Sequence, residues 1–303
     1  MIDALLEMAA LIACGVIWRL LSPGGHDAVA TRTALTGLVY YLFLPALVLL
    51  VLWQAPLGTD SLKISGVASV AVLSSLLLIG WLCNVCGMDR PTRGAAILAA
   101  AFPNATYLGL PVLEATLGQS ARGIAIQFDL FACTPLLLTV GVWVAMRHGT
   151  MSPGKLPFTS LLKVPPLWAA LVAVVINLLS IPLPEGLHHW LQTLANGVVP
   201  LMLISLGLSL SIKREHFSAM RSLGPILGVQ LMFMPLVALG MSSILAMDGM
   251  LKQAVILEAA MPSMVIGLVL CDRYGLNGVV YAAAVTVSTI FSFITLNFWY
   301  GLV

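Results

Sequence analysis

The sequence predicts an all-α polytopic membrane protein of ten transmembrane helices, built as two inverted five-helix repeats with broken, crossing helices 4 and 9. Three observations carry that prediction. Of 303 residues, 60% are hydrophobic and 9% are charged, and mean hydropathy is +1.04, whereas a soluble domain carries about 25% charged residues. Apolar runs of bilayer length follow one another with short connections, each near the roughly 20 residues that a hydrocarbon core demands. A proline-bearing stretch inside the fourth run recurs inside the ninth.

Apolar runs between turn signals fall at 4–22, 33–53, 64–87, 93–117, 122–146, 160–181, 188–211, 222–247, 252–273 and 278–301. The first does not read as a signal peptide, because no basic cluster precedes it, Arg19 follows it, and no small-residue cleavage site is present. The longest polar stretch, RHGTMSPGKLPFT at 147–159, divides the chain nearly in half. It sets residues 1–148 as the first repeat, 149–159 as a cytoplasmic linker and 160–303 as the second repeat.

Loop charge orients the runs. Arg19, Arg32, Arg90, Arg93, Arg147, Lys155, Lys163, Lys213, Arg214, Arg221 and Arg273 fall at alternate ends, with only Lys63, Arg122 and Lys252 at the others. Cytoplasmic loops hold the Lys/Arg excess, so both termini are expected outside. Trp18, Trp53, Trp81, Trp143, Trp190 and Trp299 lie near run ends, where interfacial anchors belong. The net charge of +2 gives no case for nucleic acid. Membrane lipid is the partner the composition demands.

Symmetry appears on comparing the halves. Ala96-Ile-Leu-Ala-Ala-Ala-Phe-Pro103 aligns with Val255-Ile-Leu-Glu-Ala-Ala-Met-Pro262, and Pro45 in the second run corresponds to Pro200 in the seventh. An odd number of crossings per repeat inverts the second repeat, and paired interrupted helices mark the binding site of secondary transporters. Proline removes a backbone donor and clashes with the preceding turn, a costly event in hydrocarbon unless protein re-satisfies the freed groups. Breaks at Pro103 and Pro262 expose helix amino ends at Asn104 and Ser263, whose N–H groups, dipoles and capping side chains suit a carboxylate. The substrate-binding candidates are therefore Pro103, Asn104, Thr106, Tyr107, Pro262 and Ser263.

The incoming halves end in free carbonyls, among them Ala260 and Met261, that favour a cation. Glu258 lies about one turn before its break, and Asp129, with Gln127 beside it, lies deep in the fifth run. Intramembrane carboxylates are expensive. Glu258, Asp129 and Gln127 are thus candidates for ion or proton coupling, and Glu258, Ala260 and Met261 for ligating sodium; the alternative is that each carboxylate simply pairs with a buried donor. Tyr107 equally fits a core position, and Gly109 a close helix approach. Asn177 and Gln230 read as links between neighbouring helices, and Glu114 and Arg122 as solvated loop residues. Cys83 and Cys86 have no second ligand pair, and His188 and His189 no clustered partners, so no metal centre or resident cofactor is expected.

Pro103-Asn104, Tyr107-Leu-Gly109-Leu-Pro111, Leu206-Gly207-Leu208 and Ala259-Ala-Met-Pro262 resemble motifs of the auxin efflux carrier family, most of all its compact bacterial members, over essentially the whole chain. That resemblance implies the fold of bile acid sodium symporters. Helices 1, 2, 6 and 7 would form a scaffold that could support a homodimer, and helices 3–5 and 8–10 a transport domain. It also implies elevator-type secondary transport of a small organic anion in a bacterial inner membrane. Such anions are auxin-like acids in plants and malonate or malate among bacterial relatives. Glu258-Ala-Ala-Met261 resembles the sodium-binding stretch of the symporters, leaving Na+ or H+ as the coupling ion. Two features depart from plant carriers: the long central loop is missing, and Ser263 stands where the exporters carry a carboxamide. The competing reading is an anion channel or channel-like sensor, against which no ring of charge or filter pattern is visible. An intramembrane enzyme is not expected. No His-Glu-x-x-His occurs, and an aspartyl dyad would need Asp129 and Glu258 to meet.

Overall fold

The computed structural model describes residues 2–151, 164–210 and 220–303. The predicted linker from residue 152 onward, the opening of the sixth run, and Lys155, Lys163, Lys213, Arg214 and the side chain of Arg221 lie outside them. In chain order the helices are α1 (Ile2–Leu21), α2 (Ala28–Gln54), α3 (Thr59–Val85), α4 (Arg90–Ala101), α5 (Leu110–Leu117), α6 (Gln119–His148), α7 (Pro165–Leu178), α8 (Glu185–Ser209), α9 (Ser222–Ile244), α10 (Gly249–Ala259), α11 (Gly267–Tyr274) and α12 (Gly278–Leu302). The chain is all-helical among the described residues. Six of these helices, α2, α3, α6, α8, α9 and α12, are long and apolar enough to cross a membrane. The fourth and ninth predicted runs are each split, into α4/α5 and α10/α11, with neither half as long as a span. Large apolar side chains such as Leu20, Leu77, Ile244 and Ile294 face outward, which a chain surrounded by water avoids.

Prolines shape the long helices. Wide turns, closed by i→i+5 bonds, run over Val39–Phe43, Ala105–Gly109, Asp129–Cys133 and Val229–Phe233. Each of these four is followed two residues later by a proline, at Pro45, Pro111, Pro135 and Pro235, whereas a fifth wide turn, Leu137–Gly141, has none after it. A proline ring clashes with the carbonyl four residues before it and offers no N–H, and widening the turn relieves the clash while keeping the helix continuous. Pro200, which the sequence matches to Pro45, instead sits inside the α-helix of α8 without such a turn.

Two sets of helices pack most closely. In one, α1 and α2 lie on α8, and α7 lies on α2. Gly15 and Gly207 bring α1 and α8 into backbone contact: a Cβ on Gly15 would lie 2.9 Å from the Gly207 Cα, and one on Gly207 would fall on the Ile12 carbonyl. Arg19 then donates from Nη1 to the carbonyls of Leu208 and Leu210, each at 3.0 Å, placing a cation at the negative end of α8. Asn177 donates to the carbonyls of Leu52, Trp53 and Ala55 at the end of α2, the inter-helix role its position suggested. In the other set, α3 packs on α4 and α9, α9 on α10, and α12 on α4 and α11. At its centre Ala95 to Ala101 of α4 are buried, the small side chains permitting close approach from several sides.

Trp18, Trp81, Trp143 and Trp190 are exposed as anchors should be. Trp299 is not: it is 1% exposed and donates to the Leu231 carbonyl at 3.0 Å. An indole N–H inside an apolar bundle needs such an acceptor.

The α1–α8 contact yields a test. Gly207→Val must push the two backbones apart, an overpacking cost of about 1–3 kcal/mol, and is expected to lower the melting temperature of the detergent-solubilised protein. Gly66→Ala, where a Cβ would meet nothing within 4 Å, is expected to melt within error of the wild type.

Candidate functional site

The two interrupted helices meet at their breaks. After α4 ends at Ala101, Phe102 is extended and Pro103 pairs with Ser263 in an isolated antiparallel bridge. The Asn104 N–H donates to the Pro262 carbonyl at 2.7 Å, and the Met264 N–H donates to the Phe102 carbonyl at 3.0 Å. Proline-broken backbone is thereby satisfied by the other broken backbone, the requirement that an apolar environment imposes. Side chains from α9 and α12 complete the junction. Gln230 donates to the Met261 carbonyl at 2.8 Å, Tyr281 donates to the Met264 carbonyl at 2.7 Å, and Ser288 accepts the Ser263 N–H at 3.1 Å.

This pairing corrects the expectation that Asn104 and Ser263 present free backbone donors as helix caps. Both N–H groups are engaged, and the Asn104 side chain caps nothing. Its Nδ2 is buried without a partner, as are the Ser263 Oγ and the Tyr107 hydroxyl. The first turn beyond the break supplies donors instead: among the described residues no hydrogen bond reaches the N–H groups of Ala105, Thr106 or Tyr107, the orphan positions of any helix start.

A cavity of about 70 Å³ borders both breaks. Asn104, Thr106 and Tyr107 line it from one, Met264 and Ile266 from the other, and Asp129 and Thr134 from α6. Tyr40, from the wide turn of α2, closes it. Of the sequence candidates, Asn104, Thr106, Tyr107 and Asp129 are brought together here. Pro103, Pro262, Ser263, Ala260 and Met261 build the crossing without lining the cavity.

The carboxylates differ in their partners. Thr106 donates to Asp129 Oδ2, and Thr134 donates to Oδ1 at 2.9 Å, so Asp129 realises the pairing alternative, through two threonine hydroxyls. Glu258 is fully buried, and neither of its oxygens has a hydrogen-bond partner. It lies against Gly109, where a Cβ would occupy the space of the carboxyl group; the glycine makes room for the acid. Asp129 and Glu258 make no hydrogen bond to one another, so the dyad geometry of an aspartyl enzyme is not formed. The Glu258 backbone carbonyl accepts from the Met261 N–H at 3.2 Å, while the Met261 carbonyl accepts from Gln230. No group of three His, Cys, Asp or Glu side chains stands ready for a metal among the described residues.

Gln127 is separated from Asp129. Two residues apart on a helix, the side chains point about 200° apart, and Gln127 lines a second cavity of about 480 Å³ at the end of the bundle. Arg122 corrects the sequence reading more sharply: it is 6% exposed and pairs with Glu114 rather than being solvated. Tyr40, Thr134, Tyr281 and Ser288 were missed as site residues. Polar residues at helical spacing within α12, such as Tyr281, Ser288 and Ser292, were the available signal for a face turned toward protein.

Residues 26–153 and 155–300 match the membrane transport protein family. The chain belongs to that family. It is the family of the auxin efflux carriers that the motifs resemble. The chain is 30% identical to an uncharacterized transporter of Methanothermobacter thermautotrophicus over 302 residues, covering 98% of this chain and 96% of the relative. It is 26% identical to an uncharacterized transporter of Methanocaldococcus jannaschii over 88% of this chain and 87% of the relative. Against an uncharacterized transporter of Escherichia coli K12 it is 21% identical, over 76% and 75% of the two chains. As a member of the family the chain is an integral membrane transporter.

The hydroxyl pair on Asp129 gives a stability test. Thr134→Val leaves a buried carboxylate oxygen without its donor, a loss of about 1–3 kcal/mol, read as a lower melting temperature. Thr134→Ser, which keeps the hydroxyl, is expected to recover most of it.

Proposed function

We propose that this transporter carries a small organic anion by alternating access, binding its carboxylate at the crossing of the two broken helices. The observation that carries the reading is the cavity bordered by both breaks, lined by Asn104, whose side-chain amide has no partner, and by Thr106 and Tyr107 of the first turn beyond the break. The open N–H groups of a helix start favour an anion. The hydroxyl of Tyr107 adds a further donor beside it. In this reading the sixth to tenth predicted spans repeat the first five upside down, and the antiparallel pairing of residues 103 and 263 is what such inverted halves produce at their contact.

The two packing sets support a division into a scaffold, comprising α1, α2, α7 and α8, and a moving unit holding the crossing. Motion of the second set against the first would carry the cavity across the membrane. Glu258 is the coupling residue. A buried carboxylate without a hydrogen-bond donor needs a sodium ion or a proton for company, and its position directly behind the break, against Gly109, links that occupancy to the anion site.

Purified protein in proteoliposomes tests this. Uptake of radiolabelled malonate, malate or lactate is expected to saturate, and Asn104→Ala to cut the rate by about tenfold or more, consistent with loss of a buried charge-assisted hydrogen bond. Glu258→Gln is expected to abolish the dependence on a sodium or proton gradient while the protein still folds. Non-saturating single-channel currents would favour the channel reading, and an Asn104→Ala variant that transports normally would remove the crossing as the site.

A further inference from the structure

We infer that Tyr40 decides which anions the crossing accepts, and that these are short monocarboxylates with an aliphatic body, held from the scaffold side by its hydroxyl. The inference rests on the reading of the crossing as the anion site and names the substrate class of that site. The wide turn Val39–Phe43 sets two adjacent tyrosines apart: Tyr41 is exposed, while Tyr40 lines the crossing cavity. Scaffold wall there comes from Tyr40 and Leu44 of α2 and from Val164 and Pro166 at the start of α7; every other lining residue comes from the crossing or from α6. Tyr40 is thus the one polar side chain that the scaffold brings to the cavity.

Four of the lining side chains carry hydroxyls, and they differ in what they leave for a ligand. Thr106 and Thr134 direct theirs to Asp129, and Tyr107 keeps its own buried. The Tyr40 hydroxyl is neither covered nor hydrogen-bonded among the described residues. It lies within electrostatic range of Asp129 and of Tyr107, the two groups across the cavity from it. An open phenol O–H facing such a space is a donor ready for a carboxylate oxygen.

The remaining wall selects the rest of the molecule. Leu44, Leu130, Leu137, Leu138, Met264 and Ile266 are apolar, and Asp129 is the only charged side chain lining the cavity among the described residues. A first carboxylate has donors in the helix start beyond the break and in Tyr40. A second would meet Asp129 or bare leucine with no cation to receive it, and is both repelled and desolvated there. At about 70 Å³ the cavity is far below the roughly 300 Å³ at which sites for drug-sized ligands begin. The Tyr40 ring closes the side on which a bulkier acid would need room.

Calorimetric titration of purified protein in lipid nanodiscs with propionate, malonate and phenylacetate tests this. The wild type is expected to bind propionate, to bind malonate about tenfold more weakly, and to reject phenylacetate. Tyr40→Phe keeps the ring and removes only the donor. It is expected to weaken propionate binding by about tenfold while melting with the wild type, because the hydroxyl supports nothing within the described chain. Tyr40→Ala removes the wall and is expected to admit phenylacetate. Propionate binding that is absent in the wild type, or weaker than malonate binding, overturns the substrate class. Unchanged propionate binding in Tyr40→Phe, or a lowered melting temperature, overturns the role of the hydroxyl; a folded Tyr40→Ala that still rejects phenylacetate overturns the size limit. Asn104→Ala separates the inference from the reading beneath it. Propionate binding that survives that change removes the crossing as the site, whereas binding lost there but unaltered in Tyr40→Phe removes Tyr40 alone.

Discussion

Everything at the centre of this protein depends on how backbone freed by proline is satisfied where no solvent reaches. The fragments around Pro103 and Pro262 solve it mutually, Asn104 donating to Pro262 and Met264 to Phe102. Neither break would be tolerable alone in hydrocarbon, since each leaves groups that cost several kcal/mol apiece when unpaired. Once paired, the breaks are also fixed relative to one another. Gln230, Tyr281 and Ser288 then tie the junction to α9 and α12, so the crossing belongs mechanically to the helices that pack around it.

The residue economy of the junction is informative about function. Native interiors leave few buried polar atoms unpaired, and each exception asks for an explanation. Several lie at the crossing, the Asn104 amide, the Tyr107 hydroxyl, the Ser263 hydroxyl and both Glu258 oxygens, while others, such as the Ser75 hydroxyl and Arg93 Nε, do not border its cavity. Asp129, equally deep, is fully paired by two threonines. The contrast separates a carboxylate held in place by its neighbours from one without a hydrogen-bond partner, and the second kind lies behind the break.

Proline acts at two strengths in the same chain. Four prolines widen the turn before them and leave the helix running; Pro103 and Pro262, each followed by a polar residue and met by the opposite strand, end the helix outright. One widened turn carries Asp129 and another carries Tyr40 toward the cavity. Helix irregularity is thus concentrated where side chains face the site, as expected when a widened turn re-aims a side chain.

Hydropathy, the paired Pro103 and Pro262 motifs and the family resemblance were legible in sequence because they depend on local chemistry: apolar run length, a missing donor, a short conserved-spacing pattern within one chain. That the fourth and ninth runs would break at Pro103 and Pro262 was read from those prolines together with the motif that recurs around them in both halves. Which groups remained open after the breaks met could not be read there. Asn104 and Ser263 were expected to offer their N–H groups, and tertiary pairing consumed both; Trp299 looked like an interfacial anchor and was folded inward; Arg122 looked solvated and was buried against Glu114. A residue's own chemistry determines what it needs, but whether a neighbour supplies it is decided by other turns and helices, from Glu114 only 8 positions from Arg122 to Pro262 in the other half of the chain from Asn104, and only packing in three dimensions brings those together.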